Sequence, residues 1–189
     1  MESTDKALML AVRDGDVDKF GLLFDRHHRR LFEFFYRMTG DRTASEDLVQ
    51  DVFLRMLKYR NNFSEDSQFR AWMYRIARTA RIDRFRKRQS EAPMPVQHFE
   101  GSSDATSSVR IQERVERNQQ RATLERALLE LPDDKRELIV LARYQEMKYQ
   151  EIASLLEIEV GAVKVRVHRA IAELRQVFMS MSGEKSNAL

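Results

Sequence analysis

Two stretches of helical periodicity, separated by a polar segment, constrain this 189-residue chain more than any other feature of its sequence. The separating segment, 91–118, holds Pro93, Pro95, Gly101 and four serines, and its apolar residues are isolated. Such a composition is typical of a linker. On both sides of it, apolar residues recur at spacings of three and four, which indicates amphipathic helices. We therefore expect two separately folded helical domains.

The composition supports an all-α fold. Apolar residues make up 42% of the chain and charged residues 33%, enough for packed cores, while only six Gly and three Pro interrupt the helix-forming residues. There is no cysteine, which excludes disulfides and Cys-ligated metals. The N-terminus is acidic, and no run reaches the roughly 18 apolar residues of a membrane span. We expect a cytoplasmic protein without direct membrane insertion.

Three amphipathic helices are predicted in the first half. Asp16 is expected to cap the first, which Gly40 ends, and Thr43 to Glu46 form a possible capping box for the second. Ser67 is the expected cap of the third. The predicted buried residues are, in order, Phe20, Leu23, Phe24, His27, Leu31, Phe34, Phe35 and Met38; Leu48, Val49, Val52, Phe53 and Met56; and Phe69, Trp72, Met73, Ile76, Ala77 and Ala80.

Two surfaces remain unexplained by this core. The second helix carries a further, mostly polar stripe with helical spacing, formed by Asp47, Gln50, Asp51 and Leu54. Residues 70–90 contain eight Arg or Lys and one Asp, a net charge of +7 in a chain whose total is +3. A helical wheel puts Tyr74, Arg75, Arg78 and Arg81 on the side opposite the third helix's core residues. This local basic stripe fits a polyanion contact or, alternatively, a solvated helix face.

The second half predicts a short helix through Leu124 to Leu131, a break at Pro132, and a helix that begins with Asp133 and Asp134. Two further short helices follow, joined by a turn over residues 157–161. This pattern fits a helix-turn-helix or any αα-hairpin of a small bundle. The residues outside the apolar stripe at the start of the second of these helices favour DNA recognition: Lys164, Val165, Arg166, His168 and Arg169.

These residues resemble a known family. The most specific segments are EDLVQDVF (46–53), FRAWMYRIA (69–77), LP (131–132), YQEIA (149–153) and VGAVK (160–164). In this order they resemble regions 2 and 4 of bacterial sigma factors, and the absence of a region 3 between them is typical of the extracytoplasmic-function (ECF) group. The resemblance implies a region 2 domain over 1–90, a linker over 91–118, a region 4 helix-turn-helix domain over 119–179 and a disordered tail over 180–189.

The resemblance also implies the function of an alternative sigma factor, which directs core RNA polymerase to promoters. The stripe Asp47, Gln50, Asp51 and Leu54 would dock on the β′ clamp helices. Residues of the loop and the basic helix would recognise and open the minus-ten element: Asn62, Phe63, Tyr74, Arg75, Arg78, Thr79 and Arg81. Phe63 is equally a candidate core anchor, and many relatives carry Asn at the position of Thr79. Region 4 would contact the β flap and read the minus-thirty-five element, and an anti-sigma factor is an implied partner.

Two other classes of protein share some of these features. His27 and His28 lie near Asp25 and Glu33 in sequence, but adjacent helical residues point about 100° apart and three arginines surround His28. No nucleophile motif, phosphate loop or zinc-protease pattern occurs, so we expect no catalytic residues, metal or cofactor. A helix-turn-helix repressor or activator that acts without polymerase is the stronger alternative, although it would not need the Asp47, Gln50 and Asp51 surface.

Overall fold

The computed structural model describes residues 4–90 and 108–186, which contain helices and no strands. The prediction of an all-α chain with two helical domains is confirmed. The helices are α1 (Asp5–Arg13), α2 (Phe20–Thr39), α3 (Arg42–Lys58), α4 (Phe69–Ser90), α5 (Ser108–Glu130), α6 (Asp133–Ile139), α7 (Tyr149–Leu156) and α8 (Val160–Ser186), with a π-helical turn over Val140–Tyr144.

The first domain consists of α1 to α4, of which α1 was not among the predicted helices. Thr4 caps α1 by accepting a hydrogen bond from the Ala7 amide. Leu8, Met9 and Val12 share one face of this helix and are buried against α2. Their three- and four-residue spacing is typical of a helix, but the acidic residues of this N-terminal segment suggested an exposed, unstructured region.

Three predicted helix caps are wrong. Ser67 lies two residues before the start of α4 at Phe69, and its hydroxyl bonds to Ser64. Asp16 precedes a short 3₁₀ turn, its side chain makes no capping bond, and α2 begins only at Phe20. Asp41 is the residue that caps α3, with its carboxylate accepting from the Ala44 amide at 2.9 Å, so Thr43 lies inside the first turn. Gly40 ends α2 as predicted, at a φ of 69° that glycine adopts without strain.

The second domain consists of α5 to α8, and two of its helices are longer than expected. α5 begins at Ser108, inside the predicted linker, whose residues 91–107 lie outside the described part of the chain. α8 continues to Ser186, whereas the sequence analysis expected a disordered tail from Ser180. Partial burial of Val177, Phe178 and Met181 against the core gives this extension a packing reason.

The two domains lie against each other. α4 contacts α7, and α2 contacts α5, α6 and the π-helical turn. The buried apolar residues of both domains form one contiguous cluster. We call this contact, between α2 and α4 on one side and α5 to α7 on the other, the domain seam.

Candidate protein and nucleic-acid interfaces

The mixed stripe of α3 lies on the surface, as its pattern indicated. Asp47, Gln50 and Leu54 are exposed, and Leu54 retains 67% of its accessible surface. The two carboxylates belong to ion pairs: Asp47 with Arg84 of α4 at 2.9 Å, and Asp51 with Arg55 at 3.0 Å. The stripe is therefore a fixed polar surface around one exposed leucine.

An exposed aromatic residue that the sequence analysis did not single out extends this stripe. Tyr59 follows α3, is 43% exposed, and lines the same shallow depression as Asp51 and Leu54. Its position five residues after Leu54 is compatible with a shared surface. That both side chains line one depression is seen only in the structure.

The loop before α4 separates two residues that were predicted to act together. Asn62 is exposed, whereas Phe63 is 1% exposed. The Phe63 ring packs edge-on against Trp72, with centroids 5.1 Å apart, and also contacts Phe69. Of the two interpretations of Phe63, the structure therefore favours the core anchor.

The outer side of α4 is less exposed than the helical wheel indicated. Arg75 and Thr79 are exposed and Arg78 and Arg81 are half-buried, but Tyr74 is completely buried. Its ring packs edge-on against Phe34, and its hydroxyl donates to Gln145 Oε1 across the domain seam at 2.6 Å. This burial raises the pKa of Tyr74. The expected exposure of Tyr74 is wrong because the second domain covers it.

The arginines of the same side are also bonded across the seam. Arg78 Nε donates to Glu137 Oε1 at 2.9 Å, and Arg81 makes two parallel bonds to the carboxylate of Asp133, at 2.6 and 2.7 Å. Arg75 donates to the backbone oxygen of Ser154. The basic face of α4 is thus matched by acceptors of the second domain.

Glu137 is the most buried charged residue of this group, at 4% exposed. Burial raises its pKa because the ionised form loses hydration, while the charges of Arg78 and Arg81 act in the opposite direction. A buried carboxylate that keeps an arginine partner is sensitive to loss of that partner.

A second set of contacts joins α2 to the other domain. Arg136 of α6 donates to the carbonyl of Met38 at 2.6 Å, and the guanidinium of Arg37 lies 4.1 Å from the centre of the Tyr144 ring. Leu129 Cδ1 would be 3.0 Å from a Cβ placed on Gly40. The left-handed backbone favours glycine at this position, and a side chain there would also press on the end of Leu129.

The outer face of α8 is open. Val163, Val167 and Ala170 are buried, and the five predicted DNA-contacting residues are all exposed: Lys164, Val165, Arg166, His168 and Arg169. The turn before this helix uses Glu157 in the left-handed conformation, with a φ of 56°, while Gly161 lies within α8. The predicted DNA-contacting residues and the core residues are separated on the helix as the spacing indicated.

The two neighbouring histidines of α2 bond in different directions. His27 is buried and its Nε2 lies 2.8 Å from Asp5 Oδ2, whereas His28 Nδ1 donates to the Phe24 carbonyl. Among residues 4–90 and 108–186, no group of three or more His, Asp or Glu side chains could hold a metal ion. No helix within those ranges is long and apolar enough to cross a membrane.

Comparison with known proteins identifies both domains. The family model for Sigma-70 region 2 matches residues 23–91, and the model for Sigma-70, region 4 matches residues 121–174. The ECF RNA polymerase sigma factor SigW of Bacillus subtilis is 32% identical over 182 residues, which cover 93% of this chain and 97% of SigW. RNA polymerase sigma factor CarQ of Myxococcus xanthus is 31% identical and covers 87% of this chain, with 92% of CarQ matched.

A solved structure supports the same assignment. CnrH, in complex with the cytosolic domain of CnrY, superposes with a TM-score of 0.69 at 27% identity, covering 94% of this chain and 99% of CnrH. Sigma factors are transcription regulators rather than catalysts. This chain belongs to the ECF sigma factors and directs promoter-specific transcription initiation as an alternative sigma factor.

Proposed function

We propose that this sigma factor docks on the β′ clamp helices of core RNA polymerase through α3, with Asp47, Gln50, Asp51 and Leu54 in contact. The single observation that carries this role is the pairing of two exposed apolar side chains, Leu54 and Tyr59, which line one shallow depression with Asp51. Adjacent apolar surface bordered by polar groups is typical of protein-protein contacts, because a partner surface removes it from water. The surrounding ion pairs hold the polar groups in place for complementary charges.

Leu54→Asp tests this role without disturbing the fold, because the exposed side chain contributes little to packing. Co-purification with core polymerase should fall at least about tenfold, the factor that roughly 1.4 kcal/mol of lost interaction produces. Met179→Asp is the matched control, since Met179 is 65% exposed on the other domain. Equal recovery of core polymerase with Leu54→Asp and with the control would refute the docking assignment.

The single-stranded minus-ten element is assigned to α4 and the loop before it, with Asn62, Phe63, Tyr74, Arg75, Arg78, Thr79 and Arg81 as the contact set. Two observations support this assignment. Residues 70–90 carry a net charge of +7, and the side chains of Arg75 and Thr79 are exposed on this helix. Arginine side chains along a strand neutralise phosphates, and an aromatic ring can stack on an unpaired base. Tyr74 can do so only after the domain seam opens, and Phe63 acts mainly by holding the loop.

The minus-thirty-five element is assigned to the start of α8, through Lys164, Val165, Arg166, His168 and Arg169. These residues project from a helix whose opposite side is buried, the arrangement by which a recognition helix enters the major groove. The same domain would contact the β flap. A helix-turn-helix regulator that acts without polymerase would bind duplex DNA alone and would not respond to Leu54→Asp.

The remaining assignments follow from the family. CnrH was solved with the cytosolic domain of CnrY, and another neighbour, RpoE of Bartonella quintana, with the anti-sigma factor NepR. An anti-sigma factor is accordingly the proposed protein partner of this chain, and the cytoplasm its proposed location. Catalysis, a metal and a cofactor have no place in this function.

A further inference from the structure

Val165 is an exposed apolar residue at the start of α8 that the core of the second domain does not use. Val163 and Val167 are 0% and 1% exposed, whereas Val165 between them is 50% exposed. Successive helical residues are rotated by about 100°, so a residue two positions from both buried valines points away from the core. Val165 therefore lies on the outermost line of the helix.

Small residues lie on both sides of Val165 along this outer line. Gly161 and Ala172 are exposed, one turn before Val165 and two turns after it. Gly161 has a helical backbone, and no atom of the described residues outside its own helical turns lies within 4 Å of a Cβ placed there. Neither the backbone nor the packing requires glycine, which is less stable in a helix than alanine. The missing side chain leaves room for another molecule to approach Val165 closely.

The charges beside Val165 indicate that this molecule is a polyanion. Lys164 and Arg169 are exposed, and neither has an ion-pair partner in the described part of the chain. Uncompensated cations on an exposed helix face are typical of a DNA-binding surface. The major groove of duplex DNA is wide enough to admit such a helix, so the outer line of α8 would face the edges of the bases.

We propose that Val165 reads a thymine of the minus-thirty-five element, by packing its methyl groups against the C5 methyl group of that base. This inference rests on the DNA-binding role proposed for α8 and adds the base that is selected. Among the four bases, only thymine presents a methyl group in the major groove. Valine has no donor or acceptor, so against any other base it would remove water from a polar edge without replacing the hydrogen bond.

The spacing between Val165 and Arg169 limits where this thymine lies. The two residues are four positions apart, which is about 6 Å along the helix axis. Base pairs are stacked about 3.4 Å apart. The thymine should therefore lie within about two base pairs of the position that Arg169 contacts, and the element should contain an A·T pair there.

The test removes one methyl group from the DNA. Holoenzyme reconstituted from core polymerase and the full-length chain first selects a promoter from fragmented genomic DNA, and the transcript start locates its minus-thirty-five element. Each thymine of that element, on either strand, is then replaced by deoxyuridine, which pairs identically but lacks the C5 methyl group. The affinity of the holoenzyme for each duplex is measured by competition with the unmodified promoter.

At one thymine, deoxyuridine should lower the affinity of the wild type about fourfold, equal to roughly 0.8 kcal/mol for a methyl group returned to water. Val165→Ala should not distinguish thymine from deoxyuridine at that position. The variant should stay folded, because the side chain is half exposed and alanine favours a helix more than valine does. Met179→Ala is the control, since Met179 is 65% exposed about 21 Å further along α8, and it should discriminate as the wild type does.

The deoxyuridine series on the wild type needs no variant and can overturn the proposal alone. An element without an A·T pair would do so, and so would unchanged affinity after every substitution. An equal loss with wild type and Val165→Ala at every thymine would show that another group reads the methyl. Weaker binding of Val165→Ala to core polymerase, with unchanged affinity for DNA, would assign Val165 to a protein contact and refute the reading of thymine.

Failure of this inference is distinguishable from failure of the role proposed for α8. Lys164→Ala should weaken holoenzyme binding to every template and reduce the log-log salt slope by about 0.9 for one lost contact to a duplex phosphate. If it does so while deoxyuridine has no effect, only the reading of thymine by Val165 is refuted. If neither Lys164→Ala nor Arg169→Ala changes promoter affinity, α8 does not bind the element and both proposals fail.

Discussion

Arg136 should be a principal stabilising residue of the second domain, although the sequence shows it only as one charge among many. Its guanidinium donates to four carbonyl oxygens: Leu128 at 3.1 Å, Leu129 at 2.5 Å, Leu131 at 2.9 Å and Met38 at 2.6 Å. Leu128 and Leu129 belong to the last turn of α5 and Leu131 directly follows it, a region where carbonyls lack helical partners. One side chain therefore caps that helix and reaches across the domain seam.

The expected effect of Arg136→Ala follows from these bonds. A hydrogen bond to a charged group contributes about 1.5–3 kcal/mol, but bonds that share one guanidinium do not add, and exposed carbonyls regain water. We expect a loss of about 3 kcal/mol, large against the roughly 5–15 kcal/mol of a typical domain. Urea unfolding followed by far-ultraviolet circular dichroism measures it.

Arg143→Ala is the matched control for this experiment. Arg143 is exposed on the adjoining π-helical turn, so its removal should change stability by less than about 0.5 kcal/mol. Trp72, the single tryptophan, reports on the first domain by fluorescence and separates the two domains' transitions. A loss below about 1 kcal/mol for Arg136→Ala would show that water replaces the guanidinium and that the capping argument is mistaken.

Two further predictions concern recognition and pH. Arg169→Ala should cost about 1–3 kcal/mol of binding free energy on the cognate promoter if Arg169 contacts a base, and this penalty should vanish when that base pair is mutated. Arg175→Ala is the control. Equal transcription by wild type and Arg169→Ala on every template of a minus-thirty-five substitution series would exclude the contact. Burial lowers the pKa of His27 despite its bond to Asp5, so the unfolded chain binds a proton more readily and stability should fall as pH drops below about 6.5. Asp5 stays ionised in this range because Arg26 and His27 outweigh burial and lower its pKa. His27→Gln should flatten the dependence of the urea midpoint on pH relative to His28→Gln, and parallel curves would contradict this assignment.

Local spacing was sufficient for most of the fold. The three- and four-residue recurrence around Leu31, Val52 and Val167 fixed which helix faces are buried, because a helix places those positions on one side whatever it packs against. The same rule separated the exposed Lys164 and Arg169 from the core of α8. Gly40 was readable as a helix end because few other residues accept its backbone conformation.

Helix caps depended on geometry that spacing does not contain. Asp16 and Thr43 were plausible caps by residue type, but a cap requires an extended backbone one position before the helix, and Asp41 occupies that position. Likewise α1 was overlooked because its three buried residues are few and lie among charges. These errors are local and left the arrangement of the domains unaffected.

The sequence by itself determined that this chain has two helical domains, a basic helix and an exposed polar face on α8, since each follows from periodicity and charge along one segment. Only the tertiary structure decided what covers the basic helix. Tyr74 and Gln145 are 71 positions apart, and Arg78 and Glu137 are 59 apart. No local pattern encodes such a pairing, because its geometry and the burial of Tyr74 come from the packing of one domain on the other.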